Sequence, residues 1–317
     1  GTLKSTGRFL NVVPLDASYQ KDFYVPAVAG AKVGDRVVVQ FTAWNDQHVN
    51  PEGEIIEVLG PADNPSLDTL AVIRHHNLQE VLPAEVLREA EEVGALLDAP
   101  GPREDLRGEY IFTVDPATAR DFDDAISLAT DPQGRRVLGV HIADVSHFVR
   151  SGSSLDQEAA RRGNTVYLPD RVLPMLPEQL SNGVCSLNPN QDRLTFSVFI
   201  TFDHQARPIA TRCAKTIIRS RLRLTYEQAM AVITCKAGMR CQVTGVDEQV
   251  MRLIHSVNNL AQQLRRNRWS QYALDLDIPE YEVVIGSDGR INDIRRSESD
   301  MSHQMIEECM VAANEAV

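Results

Sequence analysis

The chain has 317 residues and a net charge of −12, with 43% hydrophobic and 24% charged residues. That is the usage of a folded protein of about two domains, which excludes a disordered, collagen-like or disulfide-stapled chain. No apolar run is long enough to span a bilayer, and Gly1 to Leu10 lack a signal core.

Residues 1–60 alternate in short apolar runs, Arg8–Val13, Phe23–Val25, Arg36–Phe41 and Gly53–Leu59, separated by turn residues. Strands at this spacing predict a small OB-type barrel. Its aromatics, Phe9, Phe23, Tyr24 and Trp44, either stack on bases or fill the core, and for at least half of them a core role is expected. Breakers at Pro61, Asp63, Asn64 and Pro65 open a link over 63–106 that carries helices at Leu67–His75 and after Pro83. From 107 onward strands and helices mix. Strands are predicted at Glu109–Val114, Arg136–Ala143 and Leu194–Asp203, and helices at Ser154–Arg162, Tyr226–Ile233, Asp247–Trp269 and Met301–Val317. The last helix runs to the final residue with apolar positions Met305, Cys309, Ala312 and Ala316 that need a covering layer. The expectation is an α+β fragment of a longer protein: a barrel at 1–62, a helical linker at 63–106 and a mixed domain at 107–317.

Five cysteines, Cys185, Cys213, Cys235, Cys241 and Cys309, are scattered without a CxxC pair. This points to reduced thiols, a cytoplasmic location and no zinc site. Charge is segregated. Arg207, Arg212, Lys215, Arg219, Arg221 and Arg223 occur with no acid between them, and Arg265, Arg266 and Arg268 form a second cluster. Each cluster reads as a solvated face or as a phosphate contact; the second reading predicts nucleic-acid binding that weakens steeply with salt.

The strongest local signal is Asp115-Pro116, Asp121, Asp123 and Asp124 at the end of an apolar strand. Carboxylates this dense repel one another and call for cations, and hard oxygen donors suit Mg²⁺, or Mn²⁺ in its place. An extended chain would turn Asp121 and Asp123 one way, with Asp115 and Asp124 closing the ring. Two divalent ions about 4 Å apart could then activate a water and stabilise a leaving oxygen. A calcium loop or a solvated turn is the alternative. An EF-hand fits poorly, for want of a Gly at the sixth position and a Glu at the twelfth. His141 and His147 flank Asp144, which reads as a strand end with satisfied polar groups rather than as a second metal site.

These motifs carry a resemblance. Asp115-Pro116 with Asp121, Asp123, Asp124 and Ala125, then His141-Ile142-Ala143-Asp144, then Arg162-Gly163-Asn164-Thr165-Val166-Tyr167-Leu168-Pro169 and Cys185-Ser186-Leu187-Asn188-Pro189, and finally His303, Ile306, Glu307 and Asn314, resemble the RNB catalytic domain of the ribonuclease II and ribonuclease R family. The N-terminal part is similar to that family's second cold-shock domain. The resemblance implies processive hydrolytic 3′→5′ degradation of single-stranded RNA to nucleoside 5′-monophosphates, by a Mg²⁺-dependent two-metal route in a protein that is monomeric at full length. It implies that Asp123 is the acid without which cleavage stops, that Asp115, Asp121 and Asp124 hold metal with it, that Tyr167 stacks near the scissile end and that Glu307 contacts the terminal nucleotide. Arg219, Arg221 and Arg223 are expected on the RNA path.

Two departures stand out. Leu276 occupies the place of a stacking phenylalanine, with Tyr272 a substitute nearby. The family's catalytic arginine belongs to a later half of the domain that this sequence does not contain, so residues 1–317 are expected to cleave RNA poorly. The rival readings are a non-catalytic RNA-binding module, in which the acids are structural, and a metal-dependent DNA nuclease or phosphodiesterase.

Overall fold

The computed structural model describes all residues except 47, 99, 236–242, 272, 275–277, 287–289 and 298. The expectations for Tyr272, Leu276 and Cys241 lie outside the described residues.

Alternating aliphatic side chains carry the start of the chain into β1 (Thr2–Thr6), β2 (Phe9–Val13), β3 (Phe23–Val25), β4 (Asp35–Ala43) and β5 (Glu52–Pro61). They pair in a ring, β1-β2-β3-β5-β4. Two seams are narrow: β4 meets β1 at Thr2–Arg36, and β3 meets β5 at Tyr24–Glu52. The predicted single strand at Arg8–Val13 is therefore the second arm of a hairpin whose first arm, β1, the sequence reading passed over. Leu3, Val12, Val25, Val37 and Ile55 fill the interior. The aromatics do not. Phe9, Tyr24 and Trp44 are exposed and Phe23 is only partly buried, which corrects the expectation that at least half of them are core; Phe41 is exposed too. Five aliphatics saturate so small a barrel, and the larger rings stay on its surface.

Helix α1 (Ser66–His75) buries Ala71 and Ile73. Its ends are tied to the barrel by Arg36–Asp68 (2.6 Å) and Arg74–Glu57 (2.7 Å). The contacts thus divide the chain otherwise than a linker at 63–106 would. One unit holds Gly1–Leu82, Thr165–Leu173 and Tyr281–Arg296; the other holds Pro83–Asn164, Pro174–Glu280 and Ser297–Val317.

The second unit begins with α2 (Ala84–Gly94), β6 (Glu104–Asp105), β7 (Phe112–Asp115), β8 (Asp124–Thr130), β9 (Arg136–Ala143), α3 (Val145–Phe148) and α4 (Ser154–Arg162). The short hairpin β10 (Val166–Tyr167) and β11 (Val172–Leu173) belongs to the first unit. Then follow β12 (Asp192–Phe202), β13 (Pro208–Arg219), β14 (Leu222–Thr225), α5 (Tyr226–Thr234), α6 (Glu248–Ser270), β15 (Glu280–Ile285), β16 (Ile291–Ser297) and α7 (Met301–Ala316). Each of the last three helices starts on a capping side chain. Thr225 forms a capping box with Gln228, Asp247 accepts from the Val250 amide, and Asp300 accepts from those of Ser302 and His303.

Seven strands form one sheet in the order β14-β7-β8-β9-β12-β13-β6. Period-two alternation sorts its faces. Phe112, Val114, Ile126, Leu138, Val140, Val198, Ile200 and Phe202 pack against Val232, Ile254, Val257, Leu260, Met305 and Cys309 of the covering helices. On strands β8, β9, β12 and β13 the alternate positions carry a polar ladder. His141, wholly buried, bonds Ser127 Oγ through Nε2 (2.9 Å) and Ser197 Oγ through Nδ1 (2.7 Å). Ser197 and Thr195 each reach Thr216 Oγ1 at 2.6 Å. Gly139 makes room for this: a Cβ there would collide with Ser127 Oγ and stand 3.0 Å from His141 Nε2. Burial pushes the His141 imidazole down to about 3, so it is neutral in the fold.

At the end of β9, Asp144 pairs with Arg103 (2.6 Å), both side chains almost wholly buried. Arg103 also donates to the carbonyls of Pro100 and Thr195, and Ser146 donates to Asp144. Burial alone would raise the Asp144 carboxyl, but Ser146 and Arg103 hold it below its usual range. His147 Nε2 lies 3.1 Å from the Leu96 carbonyl, so the satisfied strand end is what the structure contains here.

Removing one member of such a pair strands a buried charge. Arg103→Ala is expected to cost about 3–5 kcal/mol in urea unfolding, and Arg103→Ala with Asp144→Asn clearly less than the single change. A cost within error of zero for the single change would show the pair to be dispensable.

Candidate acidic site

Strand β7 ends at Asp115, opposite Thr225 of the parallel strand β14, because Pro116 cannot continue the ladder. Residues 116–123 form a loop outside any strand, with a turn at 117–118. Partners far away in sequence supply its backbone bonds. The Phe122 amide donates to Ser186 Oγ (3.0 Å), and Ser186 Oγ donates to the Arg120 carbonyl (2.8 Å). The amides of Leu187 and Ala143 donate to the carbonyls of Phe122 (2.8 Å) and Asp123 (2.9 Å). Phe122 is buried beneath the loop, and β8 then starts on Asp124 opposite Ile142.

The four carboxylates lie within electrostatic reach of one another. Burial, opposed by the Thr113 side chain and then by Arg223 and reinforced by Asp121 and Asp123, pushes Asp115 up to about 6. Burial, then Asp115 and Asp123, does the same to Asp124, also to about 6. Asp123 is the exposed member of the set, yet the protein packed about it, and Asp121 beside it, raise its carboxyl too. Among the described residues, Asp115 Oδ2 is buried with no hydrogen-bond partner. Tyr226 borders the cluster: burial, then Asp124 and Asp115, raise its hydroxyl. Its ring stacks on His303 at 3.9 Å, and His303 Nδ1 lies 2.9 Å from Asp300. Neither Tyr226 nor Ser186 is a candidate site residue by sequence: Tyr226 reads only as the start of a helix, and Ser186 only as part of the Cys185–Pro189 motif.

Among the described residues, no three His, Cys, Asp or Glu side chains converge as a ready metal cage. In kind and charge the donors nevertheless fit a hard divalent cation, as four mutually repelling carboxylates with an orphaned buried oxygen.

The remaining expected site residues are placed differently. Tyr167 is on the β10–β11 hairpin of the other unit with its ring exposed, at 66%. That is not the half-buried core position that a lone tyrosine would suggest. Glu307 is on α7, half-exposed, and pairs with Arg268 (3.3 Å) and Arg265 (3.7 Å). Its neighbour Glu308 is buried and pairs with the same two arginines, so the two glutamates are not a solvated pair. Half of the first basic cluster, Arg212, Lys215 and Arg219, lies on strand β13, and four of its guanidiniums are engaged. Arg219 pairs with Asp192 (2.7 Å) and Arg212 with Glu104. Arg221 donates to the Gly108 and Glu109 carbonyls and lies over the Tyr110 ring. Arg223 donates to the Pro116 and Ala117 carbonyls and lies over Phe122. Arg223 thus braces the acidic loop itself.

The RNB domain profile matches residues 103–317, and a cold shock domain profile matches residues 12–83. The chain belongs to the RNB domain family. Ribonuclease R of Thermotoga maritima is 40% identical over the whole chain, and that of Aquifex aeolicus 36% over 96% of it. The chain spans 45% and 43% of these relatives' lengths, less than half of each. Among solved structures, Mycoplasma genitalium RNase R in complex with double-stranded RNA superposes with a TM-score of 0.87 at 29% identity, covering 99% of this chain and 55% of that one. Yeast Ssd1, a pseudonuclease, superposes with a TM-score of 0.69 at 18% identity, covering 97% of this chain and 39% of that one. The last likeness is one of fold alone. An RNB-type fold therefore does not by itself decide between catalysis and binding, and the decision rests on side chains.

The raised carboxyls of this RNB domain set a sign. A carboxyl whose folded value exceeds its unfolded one stabilises the fold when protonated and loses that contribution as pH rises. For Asp115 and Asp124 the loss falls between about 4 and about 6. His141 acts oppositely, costing stability as pH falls below its ordinary 6.5. Asp124→Asn isolates the acid contribution. It should raise the Tm of metal-free protein at pH 7.5 and leave it unchanged at pH 4. Mg²⁺ should raise the Tm of the parent at pH 7.5 but not that of the variant. Equal Mg²⁺ responses in the two proteins would remove Asp124 from the cation site.

Proposed function

We propose that the chain is the acid-bearing part of a hydrolytic 3′→5′ exoribonuclease acting on single-stranded RNA. The observation that carries this is the set of Asp115, Asp121, Asp123 and Asp124 brought within electrostatic reach at the loop between β7 and β8, with Asp115 Oδ2 buried and without a hydrogen-bond partner. Support comes from the relatives, which are named Ribonuclease R, and from the solved neighbour that bears RNA. A binding-only module would gain by losing acids that repel phosphate.

In this reading the four aspartates hold Mg²⁺. When bound, the ion polarises the phosphoryl oxygens and lowers the pKa of a coordinated water. Arg223 keeps Asp115 ionisable and fastens the loop through the Pro116 and Ala117 carbonyls. The exposed Tyr167 ring offers a base-stacking surface, and Glu307, steadied by Arg265 and Arg268, a polar contact for a terminal ribose. Degradation is processive, with nucleoside 5′-monophosphates as products.

The test is a cleavage assay of the full-length polypeptide on end-labelled single-stranded RNA and DNA with Mg²⁺. Loss of RNA cleavage in Asp123→Asn by a factor of about 10²–10³ or more, with RNA binding retained, is expected. Cleavage of DNA and RNA alike would favour a general phosphodiesterase, and parental turnover in Asp123→Asn would overturn the assignment. Tyr167→Ala should lose about 1–3 kcal/mol of RNA binding and alter the size of the end product, whereas Tyr167→Phe should be mild. An unchanged end product for Tyr167→Ala would remove that ring from the RNA path.

A further inference from the structure

We propose that Ser186 is a positioning residue for the acidic loop: its hydroxyl fixes the two peptide groups that flank Asp121 and so sets where Asp121 and Asp123 stand. The inference rests on the reading that these acids gather a divalent ion, and it deepens that reading.

The geometry is specific. A peptide plane joins the Arg120 carbonyl to the Asp121 amide, and the next joins the Asp121 carbonyl to the Phe122 amide. Ser186 Oγ donates to the Arg120 carbonyl at 2.8 Å and accepts from the Phe122 amide at 3.0 Å. One oxygen therefore holds both planes about the Asp121 Cα, and with them its two backbone torsions. Residues 116–123 have no ladder of their own, so their buried polar groups depend on such outside partners. Leu187 takes the next carbonyl, that of Phe122, and Ala143 takes that of Asp123. The whole run from 120 to 123 is thus registered against two fixed segments.

Ser186 is itself immobilised. It is wholly buried, and its carbonyl accepts from Arg193 Nε at 2.6 Å. Arg193, on β12, also donates to the Gly183 carbonyl at 3.2 Å. The chain of support therefore runs from the sheet through Arg193 to Ser186, and from Ser186 to the acids. Alanine at 186 would leave a buried donor and a buried acceptor unpaired at the one place where the loop must keep its carboxylates together against their repulsion.

The experiment uses residues 1–317 and two readouts, amide hydrogen exchange and Mn²⁺ calorimetry. In the parent, the Phe122 amide should exchange as slowly as that of Ala125 in β8; fast exchange at Phe122 overturns the proposal. In Ser186→Ala, exchange at Phe122 should quicken about tenfold or more while Val140 and Ile200 keep their rates. Mn²⁺ should bind about 10–100-fold more weakly. Leu180→Val, a buried change nearby without a hydrogen bond to the loop, should alter neither readout. Unchanged exchange at Phe122, an equal rise throughout the sheet, or unchanged Mn²⁺ affinity in a variant with quickened Phe122 exchange would each overturn the proposal. If Ser186→Ala does not fold, the parent's Phe122 rate together with Ser186→Thr, which keeps the hydroxyl and should keep that amide protected, decides the matter. If the parent binds no Mn²⁺, the divalent-ion reading fails on its own, and exchange at Phe122 decides whether Ser186 holds the loop.

Discussion

The constraint on which this molecule turns is the partial dehydration of Asp115 and Asp124 beside Asp121 and Asp123. Charge gathered at the edge of a sheet, out of bulk water, is costly, and each raised carboxyl registers that cost. The surroundings read as a response. The strands end where the acids begin, Arg223 spends its guanidinium on the carbonyls beside Asp115, and the 183–187 segment grips the backbone between the acids. A surface acidic turn would need none of this bracing, since water would screen its charges and accept its hydrogen bonds.

The sheet that carries the acids contains a second dehydrated polar system with the opposite titration. His141 must stay neutral to keep its place between Ser127 and Ser197, whereas the carboxyls gain by taking up protons. The two demands overlap in mildly acidic solution. A stability profile of the parent there is a difference of two contributions, and only variants that silence one of them make it readable. The ladder also explains a sequence feature with no catalytic meaning. Gly139 is glycine because the imidazole and Ser127 Oγ occupy the space above it.

Much of the fold could be read from local pattern. The helices predicted at Asp247–Trp269 and Met301–Val317 are α6 and α7, each opened by an Asp cap, and the acidic motif marked the candidate site. What could not be read depended on distant partners. Strand β13 reads as a basic cluster because Arg212, Lys215 and Arg219 are all exposed on it, and the partners of Arg212 and Arg219, Glu104 and Asp192, lie in other segments. Arg268 finds Glu307 and Glu308 across two packed helices. Nothing within the Phe122 loop reveals that its bonds come from Ser186 and Leu187.

This pairing of arginines changes the physics expected of nucleic-acid contact. A guanidinium already bonded to a carboxylate adds little net positive potential and releases few counterions, so it contributes weakly to a salt-dependent affinity. Arg212, Arg219 and Arg268 are of that kind. The barrel also carries exposed rings: Phe9 and Tyr24 stand 5.9 Å apart, Phe41 is exposed, and Lys21 lies over Trp44. In the β10–β11 hairpin Tyr167 is exposed. Stacking on such rings tolerates any base. In the proposed reading the overall charge of −12 is no obstacle to holding a polyanion, because bases held by their faces would let the acids stand where phosphates are approached only with a cation between.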